Sequence, residues 1–385
     1  MTSGPGTGVN GAPGVLLLEG GAAFFDRLFA RVARATRTVE LRCFDWRDDE
    51  TGEMTARALI AAADRGVRVT VFKDLVGATY EYYEGSQQSF LHKTIDRRTR
   101  REAMLLKLAY GRLAWPRPRA NPLADAFLNH PQITVESHRR RYDHSKVYVI
   151  DDEILFVGGV GVGDDERLMN LDFMLELEGA AHVERYRARD AGQAAFDPGR
   201  SLDFLLHAVA VHGRHQCPLL ASRLDLIAAA RWRITIEMAY LGDPRVTDVL
   251  IDAVNRGVAL TLVTGTRSNV LPDLNLATCD ALLRRTGAPP HLRIALHSRP
   301  VHSKVIVIDG AIVDLGSTNF TRLSHGGYDE VDVYLRDPGI ARAVEEAIER
   351  HVAGGRLIDG RVPFNRLRAA IESAVAAREA HPKTT

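Results

Sequence analysis

Two segments of the chain carry the same three polar residue types at the same spacing. "YDHSKVYVIDDE" supplies His144, Lys146 and Asp151, and "RPVHSKVIVIDG" supplies His302, Lys304 and Asp309, 158 residues later. Both read H-x-K-x-x-x-x-D. In a strand, residues i and i+2 face the same side, so each histidine shares a face with its lysine, and "VYVI" or "VIVI" continues as a buried strand. If the two segments meet, two imidazoles and two ammoniums converge on one point. Fixed positive charges suit a phosphoryl group. One histidine can attack phosphorus and become phosphorylated, while the other, protonated, serves the departing and incoming alcohols. This is phosphodiester chemistry that calls for no metal and no cofactor.

A histidine used in this way needs its far ring nitrogen held by an acceptor. Asp172, in "MNLDFMLELEG", follows His144 at the same interval at which Glu330, in "YDEVDVYL", follows His302. The equal spacing predicts a duplicated His–carboxylate pair. Asp151 and Asp309 end the two strands. They are counted with the catalytic set, anchoring backbone or lysine or acting directly.

The elements around these residues repeat as well. "LIAAADRGVRVTVFKD" (59–74) matches "LIDAVNRGVALTLVTG" (250–265). Each reads as a helix end, an Arg-Gly stop and an alternating apolar strand. "RTVELRCFDW" resembles "RITIEMAYLG", and "QITVESHRRRYDHSKVYVIDD" resembles "HLRIALHSRPVHSKVIVIDG". The order predicts an α/β protein of two duplicated lobes, each a mixed sheet flanked by helices, packed about a pseudo-twofold axis. The expected division is a disordered Gly/Pro-rich lead-in at 1–14, one lobe at 15–205, and a second at 206–385 that ends in helices.

The offset is 191 residues at the Arg-Gly blocks and 158 at the histidines, so the first lobe carries 33 extra residues, roughly at 80–120. "HKTIDRRTRREAMLLKLAYGRLAWPRPR" holds nine Lys or Arg against two acidic residues. A basic helix with an apolar edge, including Arg97, Arg98, Arg100 and Arg101, suits an anionic membrane surface. It also suits a nucleic-acid backbone, or it is a solvated cap.

Composition sets outer bounds. Fifty basic residues face 49 acidic ones, and 45% of residues are apolar, so overall charge selects neither nucleic acid nor an anionic surface. Cys43, Cys217 and Cys279 form no C-x-x-C pair, which predicts a reduced, cytoplasmic protein without a structural zinc site. No stretch is long and apolar enough to predict a membrane span. "FVGGVGVGDDE" fails the G-x-G-x-x-G pattern because Asp164 stands at the third position. "DDE" at 164–166 reads as an acidic helix start, and "HGRH" at 212–215 as a solvated turn.

These residues resemble the phospholipase D superfamily, whose signature is two H-x-K-x-x-x-x-D motifs, each followed by G-G or G-S and an Asn. "HSKVIVIDGAIVDLGSTNF" supplies Gly316, Ser317 and Asn319. Equal spacing places Gly158, Gly159 and Gly161 opposite them, so the pattern's first Asn is Gly161 here. The likeness runs from about residue 15 to 335 and is nearest the bacterial cardiolipin synthase type. It implies a phospholipase D-like fold and transfer of a phosphatidyl group through a phosphohistidine, with His144 as nucleophile and His302 as acid. Ser317, Asn319 and Gly159 would bind substrate. It further implies an anionic glycerophospholipid substrate, peripheral contact at the inner membrane face, and a monomer sufficient for the site. The residues leave two other readings open: hydrolysis of phospholipid or nucleic acid, and a non-catalytic lipid- or phosphate-binding module.

Overall fold

The structure, a computed structural model, describes residues 8–380 apart from 85–87, 112–113, 116–118, 214–215 and 267. Arg214 and His215 of the "HGRH" turn therefore lie outside the described residues. The repeated helix blocks form as their ends dictate. Asp49 caps the helix Glu50–Asp64 by accepting from Gly52 N, and Asp243 caps Pro244–Asn255 by accepting from Arg245 N. Both helices stop at Arg-Gly, with Gly66 at φ 92° and Gly257 at φ 93°, left-handed positions that favour glycine.

The first sheet contains β1 (Gly8–Asn10), β2 (Val15–Glu19), β3 (Thr38–Cys43), β4 (Arg68–Lys73), β5 (Ile133–Glu136), β6 (Val147–Ile150), β7 (Ile154–Gly158) and β8 (Phe173–Glu178). Their spatial order is β1-β2-β8-β7-β6-β3-β4-β5. The second contains β9 (Leu202–His207), β10 (Arg233–Met238), β11 (Ala259–Gly265), β12 (Leu292–His297), β13 (Lys304–Ile308), β14 (Ile312–Gly316), β15 (Glu330–Arg336) and β16 (Arg356–Ile358). Its order is β16-β12-β11-β10-β13-β14-β15-β9. Seven strands therefore run in one shared order, β2-β8-β7-β6-β3-β4-β5 matching β9-β15-β14-β13-β10-β11-β12. β1 and β16 extend opposite edges. In each sheet β3–β5 or β10–β12 are parallel, and the hairpin strands are antiparallel.

Two expected boundaries shift. Residues 8–10 of the lead-in are not disordered but pair as β1 with β2; residues 1–7 lie outside the described set. β9 pairs with β15, so the second sheet begins at Leu202, ahead of the division expected at 205.

The sheets pack face to face. Val147, Val149, Leu155 and Val157 meet Val305, Val307, Val313 and Leu315 in one core, closed on one side by Ile340, Val344 and Ile348 of the helix Pro338–Gly354. Each such buried side chain stabilises the fold by about 1.5–3 kcal/mol. The outer faces are covered by helices over two separate cores. β6 is buried along its whole length, so its apolar run does not alternate.

Candidate active site

His144 and His302 lie just ahead of β6 and β13, separated from them by Ser145 and Lys146 and by Ser303, at one end of the seam between sheets. Backbone hydrogen bonds that cross the seam fix both. His144 N donates to Asp329 O at 2.9 Å, and His302 N to Leu171 O at 2.9 Å. These acceptors are themselves related by the 158-residue repeat.

The carboxylates cross the seam too. His144 Nδ1 pairs with Glu330 Oε2 at 3.2 Å, and His302 Nδ1 with Asp172 Oδ2 at 2.8 Å. The carboxylate that follows each histidine at the shared interval thus serves the histidine of the other lobe, which corrects the pairing within each repeat that the spacing suggests. An ionised carboxylate only accepts, so the Nδ1 proton is fixed and Nε2 of each ring is left for chemistry. Lys146 Nζ donates to His144 O at 2.8 Å, and Lys304 Nζ donates to His302 O. Both lysines are almost fully buried. Burial, together with the Lys146 charge and against Asp172, pushes Lys304 down to about 8.

The following glycine and serine positions support the carboxylates rather than the substrate. Ser317 Oγ donates to Glu330 Oε2 at 2.5 Å. At its counterpart Gly159, an added Cβ would lie 2.3 Å from Asp172 Oδ1. Glycine is required there for Asp172 to reach His302. Neither Ser317 nor Gly159 lies on the cavity wall, which corrects their expected substrate contact; Asn319 does line it. Opposite Asn319, a Cβ on Gly161 would lie 2.5 Å from Asp45 Oδ1. The Asp45 carboxylate occupies the place of the missing amide and pairs with Arg47 at 3.3 Å.

Asp151 and Asp309 do not reach the site. They sit at the far ends of β6 and β13, about five residues at ~3.3 Å each from the lysines. Asp151 accepts from the backbone N–H of Thr36, Arg37 and Thr38 at 2.9, 2.7 and 2.9 Å. Asp309 accepts from Arg231, Trp232 and Arg233 at 3.0, 2.7 and 3.1 Å. Each clamps its hairpin turn to the start of β3 or β10, at φ 54° and 52°. Backbone, not lysine, is what they anchor.

The site is not symmetric. Glu166, on a π-helical turn Asp165–Met169, places Oε2 3.2 Å from His302 Nδ1. Burial opposes charge on His302, but Glu166 and the Asp172 hydrogen bond outweigh it and raise its pKa. His144 has only Glu330. Burial and Lys146 hold its pKa down to about 4. Tyr328 stacks on His144 at 5.5 Å and Phe44 meets it edge-on at 4.9 Å. Glu166 was not legible as part of the site, because "DDE" carries no matching acid in the second repeat. Asp164 makes no side-chain cap bond to its own turn; its carboxylate instead accepts from Thr51 N at 2.8 Å, in the first turn of the helix Glu50–Asp64. Glu166, Asp172 and His302 are the one group of potential metal ligands among the described residues. The His302 Nδ1–H that bonds Asp172 leaves that nitrogen no lone pair for a cation.

A cavity of about 490 Å³ opens over both histidines. Its walls include Lys146, Asn319, Arg47, Asp45 and Glu84 near the lobes. Its rim includes Leu106 and Tyr110 of the insert helix Arg97–Tyr110, and Val375 and Ala376 of the C-terminal helix Arg366–Ala380. The two helices are tied by Arg368 Nη2 donating to Ala109 O at 2.8 Å. Arg97, Arg98, Arg100 and Arg101 lie exposed on the first turns of the insert helix. Arg98 also bonds Glu102 and Tyr142, and Arg100 lies over the Trp115 ring.

Two duplicated mixed sheets, joined so that His144, Lys146 and His302 face one cavity, make a chain that is similar in sequence and fold to enzymes of the phospholipase D superfamily. A family model described as "Cardiolipin synthase, PLD-like domain" matches residues 224–352. The chain is 23% identical over 348 residues to cardiolipin synthase B of Escherichia coli K12, covering 84% of this chain and 76% of that protein. It is 26% identical over 364 residues to cardiolipin synthase A of Pseudomonas aeruginosa PAO1, covering 88% and 67%. In fold it matches the phosphatidylserine synthase of Haemophilus influenzae Rd KW20, with a TM-score of 0.69 and 11% identity over 97% of both chains. It also matches the polyphosphate kinase of Porphyromonas gingivalis, with a TM-score of 0.56 and 14% identity over 95% of this chain and 53% of that one.

Proposed function

We propose that the chain is a phosphatidyltransferase of the cardiolipin synthase type, working on anionic glycerophospholipid at a membrane surface. The observation that carries this reading is the crossed pair of histidines beneath a cavity with an apolar rim. In the first half-reaction His144 Nε2 attacks phosphorus, the P–N bond forms, and the P–O bond to the leaving alcohol breaks. The departing oxygen takes the proton from His302 Nε2. In the second, an acceptor hydroxyl gives its proton back to His302 as its oxygen attacks phosphorus, and the electron pair of the P–N bond returns to His144. The low pKa of His144 suits a neutral nucleophile and the raised one of His302 suits an acid. Lys146 and Lys304 offset the phosphoryl charge.

The rim supports peripheral membrane contact, with phospholipid entering from the bilayer. Among the described residues no helix is long and apolar enough to cross a membrane. Met104, Leu105 and Leu108 of the insert helix and Leu367, Ile371 and Val375 of the C-terminal helix are large apolar side chains at 43–73% exposure. Beside them, the four arginines crowd the N-terminal turns of a helix. There the macrodipole disfavours each by about 0.3–1 kcal/mol, unless an anionic surface offsets it. The cavity holds a headgroup but is too small to enclose two acyl chains, which would rest on the apolar rim.

The test incubates pure protein in EDTA with phosphatidylglycerol vesicles, and separately with single-stranded DNA. Cardiolipin with released glycerol is expected, and loss of both products in His144→Ala and in His302→Ala. Phosphatidic acid alone or nicked DNA would replace this reading with hydrolysis, and no product would leave a binding module.

A further inference from the structure

The two catalytic histidines are related by a fixed sequence offset, yet their surroundings are not equivalent. The lysines, the hydrogen-bonded carboxylates and the backbone acceptors have counterparts 158 residues away: Lys146 and Lys304, Asp172 and Glu330, Gly159 and Ser317, the carbonyls of Leu171 and Asp329, whereas the rings of Tyr328 and Phe44 meet His144. Glu166 has no acidic counterpart, because the matching position is Ser324, a buried uncharged residue on the cavity wall. His302 therefore faces two carboxylates and one lysine, namely Glu166, Asp172 and Lys304, whereas His144 faces Glu330 and Lys146, with the Lys304 charge beyond. Glu166 is itself buried, and the charges of His302, Lys304 and Arg47 favour its ionised form.

Glu166 and Asp172 act differently on the same nitrogen. Asp172 Oδ2, at 2.8 Å, takes the Nδ1 hydrogen bond and orients the ring. Glu166 Oε2 stands at 3.2 Å and makes no hydrogen bond. Its contribution is charge rather than direction, and in a buried site that charge is weakly screened. We propose that Glu166 is a positioning residue for the transfer reaction: its carboxylate, present in one lobe only, fixes His302 as the proton donor and leaves His144 as the nucleophile. The role assignment rests on the phosphohistidine reading above, whereas the charge asymmetry does not. The raised pKa of His302 and the lowered one of His144 agree with the geometry.

Two measurements on full-length protein test this. The first is an NMR titration of ring-labelled histidine, with His302 identified by its loss in His302→Gln, in the wild type and in Glu166→Gln. The His302 midpoint should fall by about one unit, a tenfold change in proton affinity, while the His144 midpoint stays. An unmoved His302 midpoint overturns the proposal, whether or not any lipid is turned over. The second compares an alkyl phosphodiester with bis(p-nitrophenyl) phosphate, whose phenolate leaves without a proton. Glu166→Gln should lose on the order of tenfold on the alkyl ester near pH 8, with the basic limb of kcat/KM moved to lower pH, and should keep its rate on the aryl ester within about twofold. Equal losses on both esters would mean a structural role only and would overturn it. If Glu166→Gln does not fold, rapid quench and peptide mapping of the wild type decides: phosphorus on His144 supports the assignment and phosphorus on His302 overturns it. A chain that turns over neither ester refutes the proposed function, and the titration still decides this inference.

Discussion

Asp309 is the last residue of a motif that reads as catalytic, and replacing it should damage the fold and spare the chemistry. Its carboxylate accepts from three successive backbone N–H groups, the shortest at 2.7 Å from Trp232 N. A hydrogen bond to a charged acceptor contributes about 1.5–3 kcal/mol when buried. These donors are partly exposed and water can replace the carboxylate, so about 0.5–1 kcal/mol each is a better figure. The residue also sits at φ 52°, where Asp and Asn are tolerated and Ala adds about 1 kcal/mol of strain. Asp309→Ala should thus lose roughly 2–4 kcal/mol, and Asp309→Asn about half of that, since its amide oxygen still accepts and the backbone preference is kept. For a protein of two lobes this corresponds to a drop in Tm of very roughly 4–12 °C. The carboxyl's own pKa has a pH signature. Burial opposes ionisation, but the N–H groups of Trp232, Arg233 and Arg231 hold the pKa below the usual carboxylate value. A depressed folded pKa means the stabilisation is fully present above that usual value and is lost as pH falls through the folded one. The wild-type advantage should be constant from pH 6 to 8 and shrink in acid. Thermal unfolding checks the stability, and kcat well below both Tm values checks the chemistry. A kcat loss beyond 100-fold with Tm unchanged would refute the assignment of Asp309, and by symmetry of Asp151, to anchoring.

Asp172→Asn and Glu330→Gln should each lower kcat by roughly 10²–10³, as expected when a catalytic base or acid loses the group that orients it, with vesicle binding intact; a within-lobe defect confined to one half-reaction would contradict the crossed pairing. Gly161→Asn should destabilise by about 1–3 kcal/mol through overlap with Asp45, and Asp45→Ala should recover most of that in the double variant; additive losses in denaturant titrations would show that the two sites do not compete. Leu105→Glu with Ile371→Glu should weaken sedimentation with anionic vesicles by tenfold or more, while activity on a monomeric short-chain phospholipid persists. Unchanged vesicle binding would place the membrane contact elsewhere. On wild-type protein the acid limb of kcat/KM should fall near pH 4, where His144 becomes protonated and can no longer attack.

The duplicated strands were legible because each motif carries its own local evidence: a His and Lys two apart before a buried apolar run, and an Arg-Gly stop after an amphipathic helix. Shared topology followed from their common order. The crossed carboxylates were not legible, since the equal interval in the two repeats holds whether Asp172 serves His144 or His302; only the packing of one sheet against the other across the seam decides it. Ser317 and Gly159 looked like substrate contacts because they follow the motif, but the sheet carries them behind the carboxylates. Asp45 and Glu166 break the repeat, so a comparison of the two halves had no second copy to flag them. The arginines of the insert were visible as charge, whereas their neighbour in space, the helix Arg366–Ala380, belongs to the far end of the other lobe.

Because each imidazole is held by the opposite lobe, neither half contains a complete reaction centre. Were the halves separate polypeptides, the centre would assemble only above their dissociation constant, and turnover would fall away on dilution. Covalent connection replaces that bimolecular encounter with a fixed effective concentration. Specific activity should therefore hold constant as the enzyme is diluted with soluble substrate, down to the limit of detection.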